Sequence, residues 1–171
     1  GGADNDNIFA GAGNDTVFGG AGNDNIFAEA GDDVLVGGLG TDTLVGGAGN
    51  DRFGFATGAA FDAATIGNDL IVGLETGDFI VLSKATFTQF TSFSGDVLSG
   101  GTQIAAADFA TITTGGATAA GASSALIVYE TSTGALFYNP DRATSGLGTG
   151  GQFATISGAP TITASQILIV G

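Results

Sequence analysis

The 171-residue sequence predicts an all-β fold, in which a solenoid of short tandem repeats is followed by a β-rich cap with hairpins. Two observations support this prediction. One nine-residue phrase is written six times without a gap over residues 1–54, and a short fixed period in tandem is typical of a solenoid. Beyond residue 82 the acidic residues become rarer, and short apolar runs separated by turn residues indicate further strands.

Within the phrase, two of the nine places keep one type of residue throughout. The sixth place is always aspartate, at Asp6, Asp15, Asp24, Asp33, Asp42 and Asp51. The eighth is always apolar, at Ile8, Val17, Ile26, Leu35, Leu44 and Phe53. The glycines that recur at places one, two and four allow positive φ, so we expect the first six residues to form a tight turn and the last three a short strand. Strand alternation then points the eighth side chain inward and the seventh and ninth outward.

Two nonapeptides should make one coil of a flattened, right-handed roll, with a strand on each side and a turn at each end. Loops of the same parity then stack, which predicts two rows of aspartates: Asp6, Asp24 and Asp42 on one edge, and Asp15, Asp33 and Asp51 on the other. Carboxylates at strand spacing repel one another strongly unless a cation lies between them. Calcium fits, because it takes six to eight oxygens in flexible geometry. The alternative, a glycine-rich linker with scattered acids, does not explain an apolar residue at every eighth place.

Composition narrows the possible partners and chemistry. Three Lys and Arg residues against 17 Asp and Glu give a formal charge of −14, so the chain lacks the cationic surface that nucleic acids and anionic membranes require. With no cysteine and no histidine, thiolate zinc sites and the usual nucleophile–base pairs are excluded, and oxygen ligands for calcium remain. We therefore expect no catalytic residue in this segment. The longest apolar runs, Ala125–Tyr129 and Ile167–Val170, are too short to span a membrane.

The repeat register continues past residue 54. Counting on by nines places Asp69 and Asp78 at the sixth place and Ile71 and Ile80 at the eighth, so residues 55–81 should hold degenerate turns of the roll. In this count Asp69 lies two repeats beyond Asp51. Phe55–Ile66 does not fit the pattern and is expected to leave the stack as a loop or a short helix. The roll is thus predicted to occupy residues 1–81.

Residues 82–171 are predicted to form the cap, because a solenoid needs a different unit to cover its last coil. Ala125–Glu130 and Leu136–Asn139 read as a hairpin around the turn Thr131–Gly134. Other segments are predicted as helical turns (Ser83–Phe90 and Ala105–Phe109), a glycine-rich loop (Ser145–Gly151) and strands (Phe153–Ile156 and Ile167–Val170).

The repeats GGAGNDNIF and GGLGTDTLV resemble the calcium-binding nonapeptides of the RTX (repeats-in-toxin) family, closely over residues 1–54 and more loosely beyond. The resemblance implies a parallel β-roll in which each calcium ion lies between loops two repeats apart. The earlier loop would supply the carbonyls of places two and four and its aspartate. The later loop would supply the carbonyls of places one and three and its aspartate.

Carried onto this sequence, the resemblance implies four ligand sets. On one edge they are Gly2, Asp4, Asp6, Gly19, Ala21 and Asp24, followed by Gly20, Gly22, Asp24, Gly37, Leu39 and Asp42. On the other they are Gly11, Gly13, Asp15, Ala28, Ala30 and Asp33, followed by Glu29, Gly31, Asp33, Gly46, Ala48 and Asp51. Continued along this edge by the count of nines, the same pattern implies a fifth ion that could use Gly47, Gly49, Asp51 and Asp69. Two departures affect these sets. Asp4 replaces a glycine of the first turn, and Ala28 and Glu29 replace the double glycine of the fourth repeat.

The phrases LIVYETSTGALFYNPD, QFATIS and ITASQILIV resemble the carboxy-terminal segment that follows the repeats in secreted RTX proteins, where it carries the signal read by the type I secretion machinery. An edge strand that completes the cap explains the last phrase equally well. The resemblance implies a calcium-dependent folding and export module, not itself an enzyme, that forms the carboxy-terminal part of a secreted extracellular protein. The alternative is a structural or adhesive cell-surface component that self-associates with calcium.

Overall fold

A computed structural model describes residues 1–90, 101–142 and 147–171 of the chain. The repeats form β1 (Asn7–Ala12), β2 (Thr16–Ala21), β3 (Asn25–Ala30), β4 (Val34–Leu39), β5 (Thr43–Ala48) and β6 (Arg52–Phe55). The central region holds α1 (Ala63–Ile66), β7 (Asp69–Val72) and β8 (Phe79–Ser83). The cap holds β9 (Thr102–Gln103), β10 (Phe109–Ile112), α2 (Gly116–Gly121), β11 (Ile127–Glu130), β12 (Ala135–Tyr138), β13 (Gly151–Ile156) and β14 (Ile167–Val170), with 3₁₀ turns at Ala106–Asp108 and Ala164–Gln166.

These strands form two sheets, as the predicted all-β roll requires. Eight strands lie in the order β1-β3-β5-β7-β13-β12-β11-β10, and six lie in the order β2-β4-β6-β8-β14-β9. All strand pairs of the repeats are parallel, and Ile8 lies beside Ile26, which lies beside Leu44. Equivalent residues of neighbouring strands are therefore one coil of two nonapeptides apart.

The strands of the repeats are twice as long as predicted. Each of β1 to β5 includes the last three places of one repeat and the first three of the next, so the turn is confined to places four to six. Positive φ at place two lets the strand pass through the double glycine without ending, as at Gly20 with φ 122°. Glu29 adopts the same conformation with φ 79°, which is uncommon for a residue with a β-carbon.

One hydrophobic core runs from the roll into the cap. Ile26, Leu35, Leu44 and Phe53 of the eighth places are fully buried, which confirms their inward orientation. The same cluster continues through Ile71 and Ile80 to Tyr129, Leu136 and Phe153 in the cap. The boundary predicted after residue 81 falls inside β8, so a shared strand rather than a linker joins the two parts.

The segment between β6 and β7 leaves the stack, and it contains the short helix α1 that the irregular repeat predicted. Asp62 begins this helix by accepting a hydrogen bond from the Ala64 N–H (2.9 Å). Beyond it, Leu70 pairs with Thr43 of β5, so β7 belongs to the eight-stranded sheet. Stacked residues are 27 positions apart in the sequence here, as Asp42 and Asp69 are, whereas the count by nines predicts 18.

In the cap, β11 and β12 form the predicted antiparallel hairpin, closed by the Gly134 N–H to the Glu130 carbonyl (2.9 Å). β13 lies between β12 and β7, and β14 lies between β8 and β9. Of the predicted helical turns, Ala105–Phe109 holds a 3₁₀ turn, whereas Ser83–Phe90 contains turns but no helix. The predicted loop at Ser145–Gly151 lies partly outside the described residues. Within the described ranges, no helix is long and apolar enough to cross a membrane.

Candidate metal centre

The sixth-place aspartates form two hydrogen-bonded rows along the edges of the roll. The first edge holds Asp6, Asp24, Asp42 and Asp69, and the second edge holds Asp15, Asp33, Asp51 and Asp78. In each row the backbone N–H of one aspartate donates to Oδ1 of the next. On the first edge the three distances are 2.8, 2.8 and 3.0 Å, and on the second they are 2.7, 3.0 and 2.9 Å.

In the middle of a row, this arrangement gives the two oxygens of a carboxylate different surroundings. Oδ1 faces the earlier loop, where it accepts the N–H. Oδ2 of Asp24 faces the later loop, because a β-carbon added to Gly19 would overlap both that oxygen and the Gly37 carbonyl oxygen. The Oδ2 atoms of five aspartates are buried without a hydrogen-bond partner: Asp15, Asp24, Asp33, Asp42 and Asp51. Because buried polar atoms in folded proteins nearly always have a partner, these five oxygens are suited to hold a cation.

The four ligand sets implied by the repeats each fall on two loops that stack on one edge. In the first set, for example, the Ala21 N–H donates to the Gly2 carbonyl (2.8 Å). The carbonyls of Ala30, Leu39 and Ala48 each accept one N–H from the earlier loop, which leaves one lone pair on each oxygen for an ion.

Glycines at places two and four make this close stacking possible. A β-carbon on Gly38 would overlap the Gly20 carbonyl oxygen, and one on Gly40 would overlap the Gly22 carbonyl oxygen. Asp4, which replaces the place-four glycine of the first repeat, is exposed and does not have positive φ. The first turn therefore differs from the others in backbone conformation.

The fifth predicted ligand set is wrong. Asp69 lies on the first edge, where Oδ1 accepts the Asp42 N–H (3.0 Å), and not beside Asp51, Gly47 and Gly49 on the second edge. The neighbour of Asp51 is Asp78, whose Oδ1 accepts the Asp51 N–H (2.9 Å). The reason is that nine residues around α1 leave the stack. Every later loop therefore lies on the opposite edge from the one that counting by nines predicts.

Burial of these carboxylates opposes their negative charge. Asp24, Asp33, Asp42, Asp51, Asp69 and Asp78 are each at most 2% exposed. Burial raises the pKa of Asp42 to about 6 and that of Asp69 to about 8, and it also raises the pKa of Asp51. For all three, a backbone N–H offsets part of the rise in pKa, and a neighbouring carboxylate adds to it. Among the described residues, the only ion pair is the one between Arg142 and Asp108 (2.6 Å), far along the chain in the cap.

The donor set at each position between loops fits calcium. In the described part of the chain, no three acidic side chains cluster as a metal site. Each position instead offers two carboxylates and several backbone carbonyls, all of them oxygens. Calcium accepts such mixed ligands at 2.3–2.6 Å, whereas magnesium prefers strict octahedral geometry and retains water. A divalent cation would also compensate this buried charge, because no basic side chain within residues 1–90, 101–142 and 147–171 forms an ion pair with these carboxylates.

A second row of side chains, at the fifth place, was not recognised from the sequence. The Asn23 N–H donates to Asn5 Oδ1 (2.8 Å), and the Thr41 N–H donates to Asn23 Oδ1 (2.9 Å). On the second edge, the Asn50 N–H donates to Asp32 Oδ1 (2.9 Å). These contacts tie successive loops together outside the carboxylate row. Asparagine at the fifth place of four of the six repeats was the signal that pointed to them.

Comparison with known proteins agrees with this geometry. Residues 1–35 and 18–53 match the RTX calcium-binding nonapeptide repeat. The solution structure of the AlgE6R3 subunit of the Azotobacter vinelandii mannuronan C5-epimerase is similar to this chain, with a TM-score of 0.56 and 21% sequence identity over 98% of this chain and 80% of that one. At this identity the likeness shows a shared fold. A comparison with curated protein sequences finds no match. Residues 1–53 of this chain therefore contain RTX-type calcium-binding nonapeptide repeats.

Proposed function

We propose that this chain is the calcium-dependent folding module of a secreted protein, with one ion between each pair of stacked loops. The observation that carries the proposal is the set of five buried Oδ2 atoms without a partner, each in a row that already uses Oδ1 for the neighbouring loop. Without calcium, the rows bury negative charge that nothing compensates. With calcium, the free energy of ion binding becomes free energy of folding.

The ligands proposed for these ions are the four sets implied by the repeats. To them we add two positions, one between Asp42 and Asp69 and one between Asp51 and Asp78, which the hydrogen bonds between these residues support. Four of the eight aspartates, Asp24, Asp33, Asp42 and Asp51, then serve two neighbouring ions, so folding should depend steeply on calcium concentration.

Far-UV circular dichroism of the full chain, in chelator and across a calcium titration, tests this proposal. We expect strand content to appear over a narrow range of calcium concentration, and magnesium at the same concentration to produce little of it. Equal strand content in chelator and in excess calcium would refute the proposal.

We also propose that the chain is exported unfolded by type I secretion machinery and folds in the extracellular medium, where calcium is abundant. The segment implied to carry the export signal ends in β14, which is buried, pairs with β8 along its whole length and pairs with β9 at Leu168 and Ile169. A signal in this strand is therefore accessible only before folding. Replacing residues 163–171 should abolish export from a bacterial host that carries a type I exporter. Undiminished export would contradict this part of the proposal.

We assign no catalysis to this module. The aspartates that come close in pairs are held in the rows by backbone N–H groups, and the role proposed for them is to bind ions. Any enzymatic activity of a larger protein would then belong to another segment of it.

A second candidate function is calcium-dependent self-association, as in a cell-surface assembly. It is favoured by Phe9 and Phe18, which are 67% and 55% exposed on the terminal strands β1 and β2. Such large exposed apolar residues on edge strands are typical of surfaces that bind another strand or chain. Sedimentation velocity with calcium should show assembly that replacement of both phenylalanines by serine abolishes. A chain that stays monomeric with calcium would leave the folding module as its sole proposed role.

A further inference from the structure

The first edge of the roll reaches the cap through Asp69. This residue begins β7, which pairs with β5 of the repeats on one side and with β13 of the cap on the other. Asp69 itself lies beside Ala154 of β13, and its Oδ1 accepts the Asp42 N–H (3.0 Å). The last carboxylate pair of this edge therefore lies where the repeats end and the cap begins.

The contacts around Asp42 point to a ligand at this junction. Asp42 is 1% exposed, and its Oδ2 has no hydrogen-bond partner. This oxygen lies against Gly37 of its own loop, as Asp24 Oδ2 lies against Gly19, whereas Asp42 Oδ1 accepts the Asp24 N–H of the earlier loop. Asp69 is 2% exposed. Two carboxylates that are buried in neighbouring stacked loops require compensation by positive charge.

The junction loop reproduces much of a regular repeat loop, although its spacing from the previous loop is 27 residues. The Gly40 N–H donates to the Thr65 carbonyl (3.1 Å), in the way that Gly22 N–H donates to the Leu39 carbonyl (3.0 Å). Gly67 has φ 76°, and a β-carbon there would overlap the Gly40 carbonyl oxygen, as happens at the place-four glycines of the repeats. The backbone carbonyls that accompany the carboxylates in the repeats are thus retained on this side of the site.

We propose that a calcium ion held between Asp42 and Asp69 fastens the cap to the roll, so that docking of the cap depends on calcium. This inference rests on the proposed function, since it assumes that the repeats bind calcium. It goes further in giving the ion between Asp42 and Asp69, which lies outside the regular repeat spacing, a role beyond the folding of the repeats.

A chain of contacts leads from the proposed ion to the interior of the cap. Asn68, next to Asp69, accepts hydrogen bonds from Gln152 Nε2 (3.1 Å) and Thr155 Oγ1 (3.2 Å) of β13. The loop that ends at Asn68 carries Phe61, whose ring lies 5.0 Å from that of Tyr138. Holding Asp69 in place therefore also holds the loop that inserts Phe61 into the cap.

The second edge ends differently. Asp78 accepts the Asp51 N–H on Oδ1 (2.9 Å) and the Glu75 N–H on Oδ2 (2.7 Å). Both oxygens of this last carboxylate thus have protein donors, and its far side is closed by the chain itself. The junction on the first edge is consequently the one where we assign the fastening role to an ion.

The tyrosines allow the cap to be observed separately from the roll. The sequence has two tyrosines and no tryptophan, and both tyrosines, Tyr129 and Tyr138, are buried in the cap. Near-UV circular dichroism in the tyrosine band thus reports the packing of the cap, while the far-UV signal reports mainly the strands of the repeats. Both are measured on the full chain during one calcium titration, and bound calcium is counted by equilibrium dialysis.

The test variant is Asp69→Asn, which keeps an Oδ1 acceptor for the Asp42 N–H but removes the charge. The matched control is Asp62→Asn, which removes one charge from the same segment at an exposed position and keeps the helix cap, because asparagine caps helices as well as aspartate. In the unchanged chain and in the control, the near-UV and far-UV transitions should coincide. In Asp69→Asn they should separate by about tenfold or more in calcium concentration, with one ion fewer bound.

Coincident transitions and an unchanged ion count in Asp69→Asn would overturn the inference. So would a tyrosine signal that is already that of the docked cap in chelator in the unchanged chain, while the far-UV signal still responds to calcium. These results differ from failure of the proposed function, in which the far-UV signal of the unchanged chain does not respond to calcium at all.

Discussion

Replacement of Asp42 by asparagine should change stability in opposite directions without and with calcium. The substitution keeps the shape of the side chain and an acceptor for the Asp24 N–H, and it removes one buried negative charge. The pKa of Asp42 is raised from 3.8 to about 6, chiefly by burial. A rise of this size corresponds to about 3 kcal/mol of destabilisation of the folded, ionised form.

The sign follows from the two states of the carboxyl group. The pKa of Asp42 is higher in the folded chain than in the unfolded chain. The destabilisation is therefore absent below about pH 4, where the carboxyl is protonated in both chains, and complete above about pH 6, where it is ionised in both. In chelator at pH 7.5 we therefore expect Asp42→Asn to stabilise the fold by about 2 kcal/mol, after allowing about 1 kcal/mol for a weaker hydrogen bond. With calcium the variant loses a charged ligand of two proposed ions, each contributing about 2.7 kcal/mol at 100 times its Kd, so stability should fall by about 5 kcal/mol.

Two measurements separate these effects. In chelator, the chain is folded by titration with an osmolyte that is excluded from the protein surface and so stabilises the compact state. The osmolyte midpoints of the variants can then be compared, even where the chain is unfolded without osmolyte. In calcium, the same variants are unfolded with urea. Asp32→Asn is the matched control, because Asp32 is exposed and asparagine occupies the same place in four other repeats, and it should shift neither midpoint appreciably. If Asp42→Asn shifts stability in the same direction in both conditions, the reasoning fails.

Three further substitutions test separate parts of the structure. Gly19→Ala places a methyl group where Asp24 Oδ2 and the Gly37 carbonyl oxygen converge, so a calcium titration should show one site weakened by about tenfold, and unchanged binding would contradict this. Glu29→Gly removes the β-carbon that makes the positive φ at this position costly. It should raise the free energy of unfolding in calcium by about 1 kcal/mol, and a lower melting temperature would disprove this. Phe153→Ala removes a fully buried ring and should lower that free energy by about 3 to 5 kcal/mol in urea, whereas a loss below about 1 kcal/mol would show that the cap packs otherwise.

The roll could be predicted from the sequence because its rules are local. An aspartate at the sixth place and an apolar residue at the eighth determine where each turn and each inward side chain lies, and Leu35 and Leu44 are fully buried as expected. The length of the strands was underestimated, since the glycines of places one and two read as turn residues. In the structure they lie within strands, because positive φ at place two adjusts the backbone and does not end the pairing.

The position of Asp69 could not be predicted by counting. Nine residues leave the stack as a loop, and nine is the length of one repeat. Every later residue therefore keeps its place in the repeat, and Asp69 stands at the sixth place whichever edge it joins. Only the pairing of β7 with β5 shows that the stacked loops are 27 residues apart in the sequence and not 18. That pairing depends on the core and the cap. The insertion of β13 beside β7 was hidden for the same reason, since it joins segments more than 80 residues apart.

The way each carboxylate divides its oxygens determines what calcium contributes. Neighbouring loops already contact each other without an ion, through the N–H to Oδ1 bonds of the sixth place and the side-chain bonds of the fifth. The proposed ion between the loops would therefore not be the only link between them. Its main contribution would be to compensate the charge of Oδ2 atoms that are buried by the same stacking. Neutral carboxamides in the rows should then weaken the requirement for calcium, whereas added acidic residues should strengthen it.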